Sequence, residues 1–226
     1  MKVVILQSNY MPWRGYFDLI KNADVFCFYD EVKYTKNDWR NRNKIYSKNG
    51  LQWLTIPIDK DAVKLKISEV ILPNGWENKH AETLKTVYGR ASQYHQLEGL
   101  IDQLYHKNRY SLLSDFNRNA IQELSKLMGL STEFVSSSSY NLQGDRVWRL
   151  INLLKELGAT TYISGPSAKD YLQGNEHLFE ENGIQLQYMK YGPYKEYAQF
   201  QLHFEPYVSI LDLIAHVPLD EINDYL

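Results

Sequence analysis

Short apolar runs and an amphipathic segment alternate at the start of this chain. Residues 3–7 and 24–30 have the pattern of buried strands, and the segment between them, with Pro12 in its first turn, has the pattern of a helix. A strand, a helix and a strand in this order predict a βαβ unit with parallel strands. Such units bind ligands at the carboxyl ends of their strands, so we expect residues 7–10 and 30–36 to meet at one edge.

The rest of the pattern predicts a hairpin, a helical middle and a return of strands alternating with helices. Residues 44–58 form the predicted hairpin, because the Asn49-Gly50 pair between its arms favours a tight turn. Residues 64–72 alternate like one more strand. The remaining predicted elements are helices over 75–90, 95–107, 109–129, 144–157, from 167 and over 208–214, and strands over 133–135, 160–163 and 184–189.

This order of elements predicts an α/β fold. We expect a single domain over residues 1–226 with a mostly parallel, Rossmann-like sheet, and a helical insertion subdomain over residues 75–130. The hydrophobic fraction of 44% suffices for a core of that size. No apolar run is long enough for a bilayer and no signal peptide pattern is present, so we expect a cytoplasmic location without a membrane partner. The single cysteine excludes an intrachain disulfide and a multi-cysteine zinc site.

Positive charge is concentrated between residues 33 and 48. Six cations face one acid there, although the whole chain carries a formal charge of -2. Cations, amides and rings together suit a polyanion that also has a ring, such as a nucleotide. In a strand, alternation would place Arg40 and Arg42 on one face and Asn41 and Asn43 on the other. A charged surface hairpin is the alternative explanation of this segment.

Three further features have both a chemical and a structural interpretation. The junction at Ser164-Gly165 joins a predicted strand to a predicted helix, which suits phosphate or carboxylate but also suits a simple helix cap. His80 has the chemistry of a general base, but a lone helical histidine is more often structural. Asp30 and Glu31 suit Mg²⁺ or an amine, and they are equally suited to pairing with the nearby cations.

Three long motifs resemble the WbqC-like protein family, and the resemblance extends over nearly the whole chain. They run from Gln7 to Asp18, from Asp30 to Asn43 together with residues 53–57, and from Tyr162 to Leu172. The resemblance implies work on nucleotide-linked sugars in bacterial surface-polysaccharide biosynthesis, including O-antigen and lipopolysaccharide. The implied reaction is the attachment of an acyl or aminoacyl group, such as glycyl, to the amine of a nucleotide-linked amino sugar.

The chain is also distantly similar to the nucleotidyltransferase superfamily. Residues 12–16 are placed like the His-x-Gly-His signature of that superfamily, and residues 163–165 are similar to its later Ile-Ser-Ser/Gly junction. Trp13 and Tyr16 stand where the two histidines would be, and tryptophan accepts no proton. The similarity implies one alternative function, a nucleotidyltransferase-like enzyme that acts on a sugar phosphate. The other alternative is a non-catalytic protein that binds a nucleotide sugar.

These observations define an expected site between the end of the first strand and the Ser-Gly-Pro junction. His80 or Asp30 would take the proton from the attacking amine. The residues expected to bind the substrate or nucleotide are Gln7, Asn9, Tyr10, Trp13, Gly15, Tyr16, Lys36, Trp39, Arg40, Asn41, Arg42, Asn43, Lys79, Ser164 and Gly165. The sequence leaves open whether the donor is ATP-activated with Mg²⁺ or arrives on a carrier such as an aminoacyl-tRNA. It predicts no protein-bound metal and leaves open whether the chain forms a homo-oligomer.

Overall fold

The computed structural model describes all 226 residues. Its strands are β1 (Lys2–Leu6), β2 (Val25–Phe28), β3 (Arg42–Ser47), β4 (Gly50–Thr55), β5 (Glu133–Ser136), β6 (Thr161–Ser164) and β7 (Gln185–Tyr188). Its α-helices are α1 (Arg14–Lys21), α2 (Trp76–Tyr88), α3 (His95–Asp102), α4 (Leu113–Leu127), α5 (Arg146–Glu156), α6 (Lys169–Leu172), α7 (Glu176–Glu181) and α8 (Ile210–His216). None of these helices combines the length and the apolar composition that crossing a bilayer requires.

Five strands form one parallel sheet in the order β5-β2-β1-β6-β7. The prediction of an α/β, Rossmann-like fold with a parallel sheet is therefore confirmed. The chain builds outwards from β1 through β2 to β5, and then returns to place β6 on the other side of β1. The strand order thus reverses between β1 and β6. Open α/β sheets bind their ligands at such a reversal, outside the carboxyl ends of the strands.

Alternating residues of the sheet supply two cores. Val3 and Ile5 of β1 belong to a cluster of 15 buried residues beneath α5 and α7, whereas Val4 belongs to a cluster of 41 on the opposite face. The larger cluster takes in α1 and α8 and also α2, α3 and α4 from the middle of the chain. Helices within 75–130 therefore share a core with the sheet, and their status as an inserted subdomain stays a prediction.

The hairpin of β3 and β4 lies apart from the sheet. It forms where the sequence predicts it, with Ser47 paired to Gly50 across the turn. Gly50 has a φ of 94°, a left-handed conformation that glycine adopts without steric cost. Asn41 and Asn43 are buried while Arg40 and Arg42 are partly exposed, so the predicted alternation of amides and cations is present.

The predicted strand over residues 64–72 is wrong. Two 3-10 turns, Lys60–Lys64 and Ile67–Glu69, occupy this stretch, and its contact with Lys33 is an isolated bridge. The Glu69 carboxylate accepts a hydrogen bond from the backbone N–H of Lys66 at 2.9 Å. This local bond closes a turn and competes with extended backbone. The alternation of apolar residues therefore buries Ile67 through a turn rather than through a strand.

Candidate functional site

A cavity of about 840 Å³ lies at the strand-order reversal. Gln7 follows β1, Tyr29 follows β2 and Ser164 ends β6, and all three side chains line it. The carboxyl ends of the strands therefore converge on one space, as the βαβ pattern predicts. Eight of the residues expected at the site line this cavity: Gln7, Asn9, Trp13, Tyr16, Trp39, Arg40, Ser164 and Gly165.

Helix α5 supplies the cationic wall of the cavity. Its N-cap, Asp145, accepts hydrogen bonds from the backbone N–H groups of Val147 at 2.9 Å and Trp148 at 3.0 Å, which fixes the start of the helix. Arg146 and Arg149 therefore stand within the first turns and line the cavity. Their charges add to the positive end of the helix dipole, and both favour an anion.

Each of these two arginines has a defined position. The guanidinium of Arg146 lies 3.6 Å from the centroid of the Tyr171 ring, within the range of a cation–π contact. Arg149 donates from Nε to the backbone oxygen of Gly144 at 2.8 Å. Its guanidinium also lies beside the Tyr29 hydroxyl, and further N–H groups remain to contact a ligand, because a guanidinium carries five N–H donors.

Arg40 supplies a third cation from the opposite side. It donates to the side-chain oxygen of Asn9 and lies 3.4 Å from that of Gln7, while Asp38 lies 3.6 Å away. The loop after β1 thus holds this guanidinium at the edge of the sheet. Of the residues that line the cavity, three are cations and Asp145 is the one carboxylate. The cavity therefore favours an anionic ligand.

The junction after β6 contributes close-packed walls. Ser164 donates to the Tyr162 hydroxyl at 3.2 Å, and a Cβ at Gly165 would lie 3.6 Å from the Tyr191 hydroxyl. The predicted helix from residue 167 is only a 3-10 turn followed by the four residues of α6. Such short segments have little helix dipole. The helix dipole that favours an anion comes instead from α5, which has 11 residues.

A smaller chamber of about 270 Å³ adjoins the main cavity. It is lined by Asn9, Pro12, Trp13, Trp39, Asn43 and Tyr207, and three of these, Asn9, Trp13 and Trp39, also line the main cavity. No charged side chain lines it. The position of the Trp13 ring explains why residue 15 is a glycine, because a Cβ there would lie only 2.3 Å from an atom of that ring. Glycine there lets the indole lie against the start of α1.

Several residues expected to bind a ligand are instead buried and bonded within the protein. Asn41 donates to the backbone oxygen of Ile56 at 2.8 Å, and Asn43 donates to that of Met11 at 2.7 Å. Tyr10 is fully buried. A buried amide satisfies backbone groups that would otherwise lose free energy on leaving water. These three side chains therefore set the shape of the site from beneath it.

The remaining predicted cations lie outside the main cavity. The guanidinium of Arg42 stacks on the Trp53 ring, 4.2 Å from its centroid, so Arg40 and not Arg42 shares the cavity with Gly165. Lys36 is exposed and lines neither chamber. Lys79 lines a separate groove beside the turn of the hairpin.

His80 is buried among rings and does not reach the cavity. Its Nδ1 lies 2.7 Å from the hydroxyl of Tyr10, and its Nε2 lies 3.1 Å from the backbone oxygen of Thr55. Burial lowers the pKa of His80 to about 4, because a charged imidazole loses its hydration there. The geometry that would let this ring exchange a proton with a bound amine is absent.

Asp30 is also committed within the protein. One carboxylate oxygen accepts from the backbone N–H of Ser8 at 2.8 Å, and the other accepts from Arg118 at 2.7 Å. The side chain is fully buried. Pairing with a cation, the second interpretation of Asp30 that the sequence allows, therefore describes its contacts. The partner is Arg118 rather than Lys33, Lys36 or Arg42 of the basic segment.

The structure adds cavity residues that the sequence did not single out. They include Tyr29, Asp145, Arg146, Arg149 and Tyr171. Tyr191, one of four tyrosines spaced three residues apart that could line the rim of a groove, lines the cavity as well. The two arginines had a signal in the sequence, since a helix that precedes a parallel strand must begin at the carboxyl edge. The predicted helix over 144–157 carries both of them near its start. Burial raises the pKa of Tyr191 to about 12, so this ring lines the cavity as a neutral phenol.

Comparisons with known proteins agree with the motifs. The sequence model of the WbqC-like protein family matches residues 7–224. An uncharacterized protein of Mycobacterium tuberculosis is 40% identical over 227 residues, covering 100% of this chain and 97% of that protein. No solved structure matches the chain, and the distant similarity to nucleotidyltransferases stays a prediction. The chain belongs to the WbqC-like protein family, a membership that suggests a role in polysaccharide biosynthesis.

Proposed function

We propose that this protein is a transferase that attaches an acyl or aminoacyl group to the amine of a nucleotide-linked amino sugar for a bacterial surface polysaccharide. One observation carries the proposal: a cavity of about 840 Å³ at the strand-order reversal is lined by three arginines and a single carboxylate. A cavity of this size is within the range of small-molecule sites. Its charge suits a diphosphate, and its place in the fold suits a nucleotide.

The arginines would hold the diphosphate. Arg146 and Arg149 approach it from the start of α5, and Arg40 approaches it from the segment that precedes β3, where it donates to Asn9 of the loop after β1. Guanidinium groups bind phosphate oxygens in pairs, with bonds that are stronger than those between neutral groups. Tyr29 and Tyr171 add rings to this side of the cavity. The nucleoside would pack against those rings, because nucleobases stack on aromatic side chains.

The reaction requires a bond to form at the sugar amine. The amine nitrogen attacks the carbonyl carbon of an activated acyl donor, the bond from that carbon to its leaving group breaks, and the nitrogen loses a proton. Asp145 is the carboxylate that lines the cavity. Both of its hydrogen bonds to the start of α5 end on Oδ1, which leaves Oδ2 to orient the amine and take its proton.

A non-catalytic role in nucleotide-sugar binding is the second candidate, and one observation favours it. Neither His80 nor Asp30 reaches the cavity, so the lining contains no histidine and only one carboxylate. A binding protein needs the cations and rings but no proton acceptor. Turnover separates the two candidates, because binding alone leaves the mass of the sugar unchanged.

The test is incubation of the protein with uridine- and thymidine-linked amino sugars, amino acids and either ATP with Mg²⁺ or charged tRNA. Mass spectrometry should detect a nucleotide sugar with an added acyl group. Arg149→Ala should abolish the product, while Arg109→Ala should retain it. Arg109 is a matched control, because it too is exposed and donates one hydrogen bond to a backbone oxygen, at 2.9 Å. Binding without a mass shift for any donor would instead support the binding protein.

A further inference from the structure

We infer that the smaller chamber beside the main cavity is the carbohydrate subsite, which receives the sugar ring of the nucleotide-linked substrate. This inference rests on the proposed function and adds the place and the chemistry of the sugar. The chamber is lined by Trp13, Trp39, Tyr207, Asn9, Asn43 and Pro12. Its volume of about 270 Å³ is a third of that of the main cavity, which suits one ring better than a nucleoside.

The charges divide the site into two parts. All three arginines line the larger cavity, and none lines the smaller chamber. A nucleotide-linked amino sugar is divided in the same way, with an anionic diphosphate and a ring that carries no negative charge. The amine of that ring would face the shared mouth of the two spaces, towards Asp145 in the main cavity. Arg40 donates to Asn9, and Asn9 lines both spaces. A diphosphate held by Arg40 would therefore place the group attached to it at the mouth of the smaller chamber.

The aromatic rings form a corner rather than a slot. The centroids of Trp13 and Tyr207 are 5.6 Å apart, and their planes meet at 47°. The ring of Trp39 contacts that of Trp53, and the angle between the two ring planes is 37°. A planar base stacks best between parallel faces, whereas a puckered sugar offers C–H groups in several directions to tilted rings. The geometry therefore favours a sugar over a nucleobase.

The polar groups of the chamber also fit hydroxyl or amide substituents. Asn43 is committed to the protein, because its Nδ2 donates to Met11 and its Oδ1 accepts from the backbone N–H of Lys44 at 2.8 Å. Asn9 uses its oxygen for Arg40, so its Nδ2 is left as a donor. Tyr207 is 62% exposed, and its hydroxyl can both donate and accept. One directed donor and one adaptable hydroxyl suit a sugar ring.

The test compares ligands that differ only in the sugar. Isothermal titration calorimetry would measure the affinity of the wild-type protein for uridine and thymidine diphosphates and for their amino-hexose conjugates. Tyr207 lines the smaller chamber but not the main cavity. Tyr207→Ala should therefore weaken binding of the conjugate about fivefold, or ~1 kcal/mol. The affinity of Tyr207→Ala for the nucleoside diphosphate should stay within about twofold of the wild-type affinity.

Two control variants isolate the ring. Tyr207→Phe retains the ring and should bind the conjugate better than Tyr207→Ala does. Trp148→Ala removes a ring that is 40% exposed and lines neither chamber, and it should bind both ligands like the wild type. Equal weakening of both ligands by Tyr207→Ala, or no weakening of either, would overturn the subsite while the proposed function stands. If the wild type bound neither ligand, the proposed function would fail and the subsite with it.

Discussion

Acid should destabilise this protein through one buried histidine. His80 is 4% exposed, and burial is the largest cause of its lowered pKa. Its Nε2 faces the backbone oxygen of Thr55 and its Nδ1 faces the hydroxyl of Tyr10. The tautomer that satisfies both contacts carries its proton on Nε2 and accepts from Tyr10 at Nδ1, so the folded protein holds a neutral ring.

The size and the sign of the effect follow from the two pKa values of His80. The pKa falls from 6.5 to about 4 on folding, so the unfolded chain binds more protons between these values. The stabilisation is present above pH 6.5 and is lost as the pH falls towards about 4. The full difference corresponds to about 3 kcal/mol, of which about 2 kcal/mol is lost between about pH 7 and about pH 5.

Urea unfolding at a series of pH values would measure this loss. The wild type should lose about 2 kcal/mol more free energy of unfolding over this range than His80→Gln, which cannot titrate. Acidic groups contribute to both proteins and cancel in the comparison. His95→Gln is a matched control, since His95 is exposed on α3, and it should follow the wild type. A wild type and a His80→Gln variant with the same pH dependence would refute a neutral, buried His80.

Four further substitutions test the site and its supports. Asp30→Asn should lower the free energy of unfolding by about 3 kcal/mol, because it removes the buried partner of a cation; a stable variant in urea unfolding would contradict this. Gly15→Ala should displace Trp13, whose ring lies 2.3 Å from the new Cβ, and calorimetry should show weaker binding of nucleotide sugars; unchanged affinity would contradict the crowding. Arg40→Ala should weaken nucleoside diphosphate binding about tenfold while Arg42→Ala leaves it unchanged, and the reverse order would contradict this account of the cavity.

The sheet was predictable because its signals are local. Buried parallel strands are continuous apolar runs, and β1 and β2 have that pattern on either side of an amphipathic helix. The rule for crossovers then places the ends of both strands at one edge. The position of β6 beside β1 is different, because pairing between residues 2 and 161 depends on the whole chain. The expected site joined the Ser164 junction to the end of the first strand, but no local pattern fixes the strand with which β6 pairs.

The choice among the cations needed the fold. Composition marks the segment from 33 to 48, and alternation correctly separates its arginines from its asparagines. Only the three-dimensional structure shows that Arg42 stacks on Trp53, while Arg40 reaches Asn9 and the cavity. The two arginines differ in their tertiary partners and not in their local sequence. Patterns of spacing carry no information about that difference.

Hydrogen bonds from residues outside the main cavity hold the loop after β1 in one position. The backbone N–H of Tyr10 donates to the backbone oxygen of Trp39 at 2.9 Å, and Asn43 holds the backbone of Met11. Asp30 holds the backbone at Ser8 from the other side. The short loop that carries Gln7 and Asn9 is therefore bonded to the hairpin, to the segment before it and to the end of the second strand, and the bonds from Asn43 and Asp30 are buried. Loops that carry ligand-binding groups are commonly the mobile parts of a protein. Here the buried Asp30 carboxylate helps to convert such a loop into a fixed support for Arg40, so Asp30→Asn should change ligand affinity although Asp30 lines neither chamber.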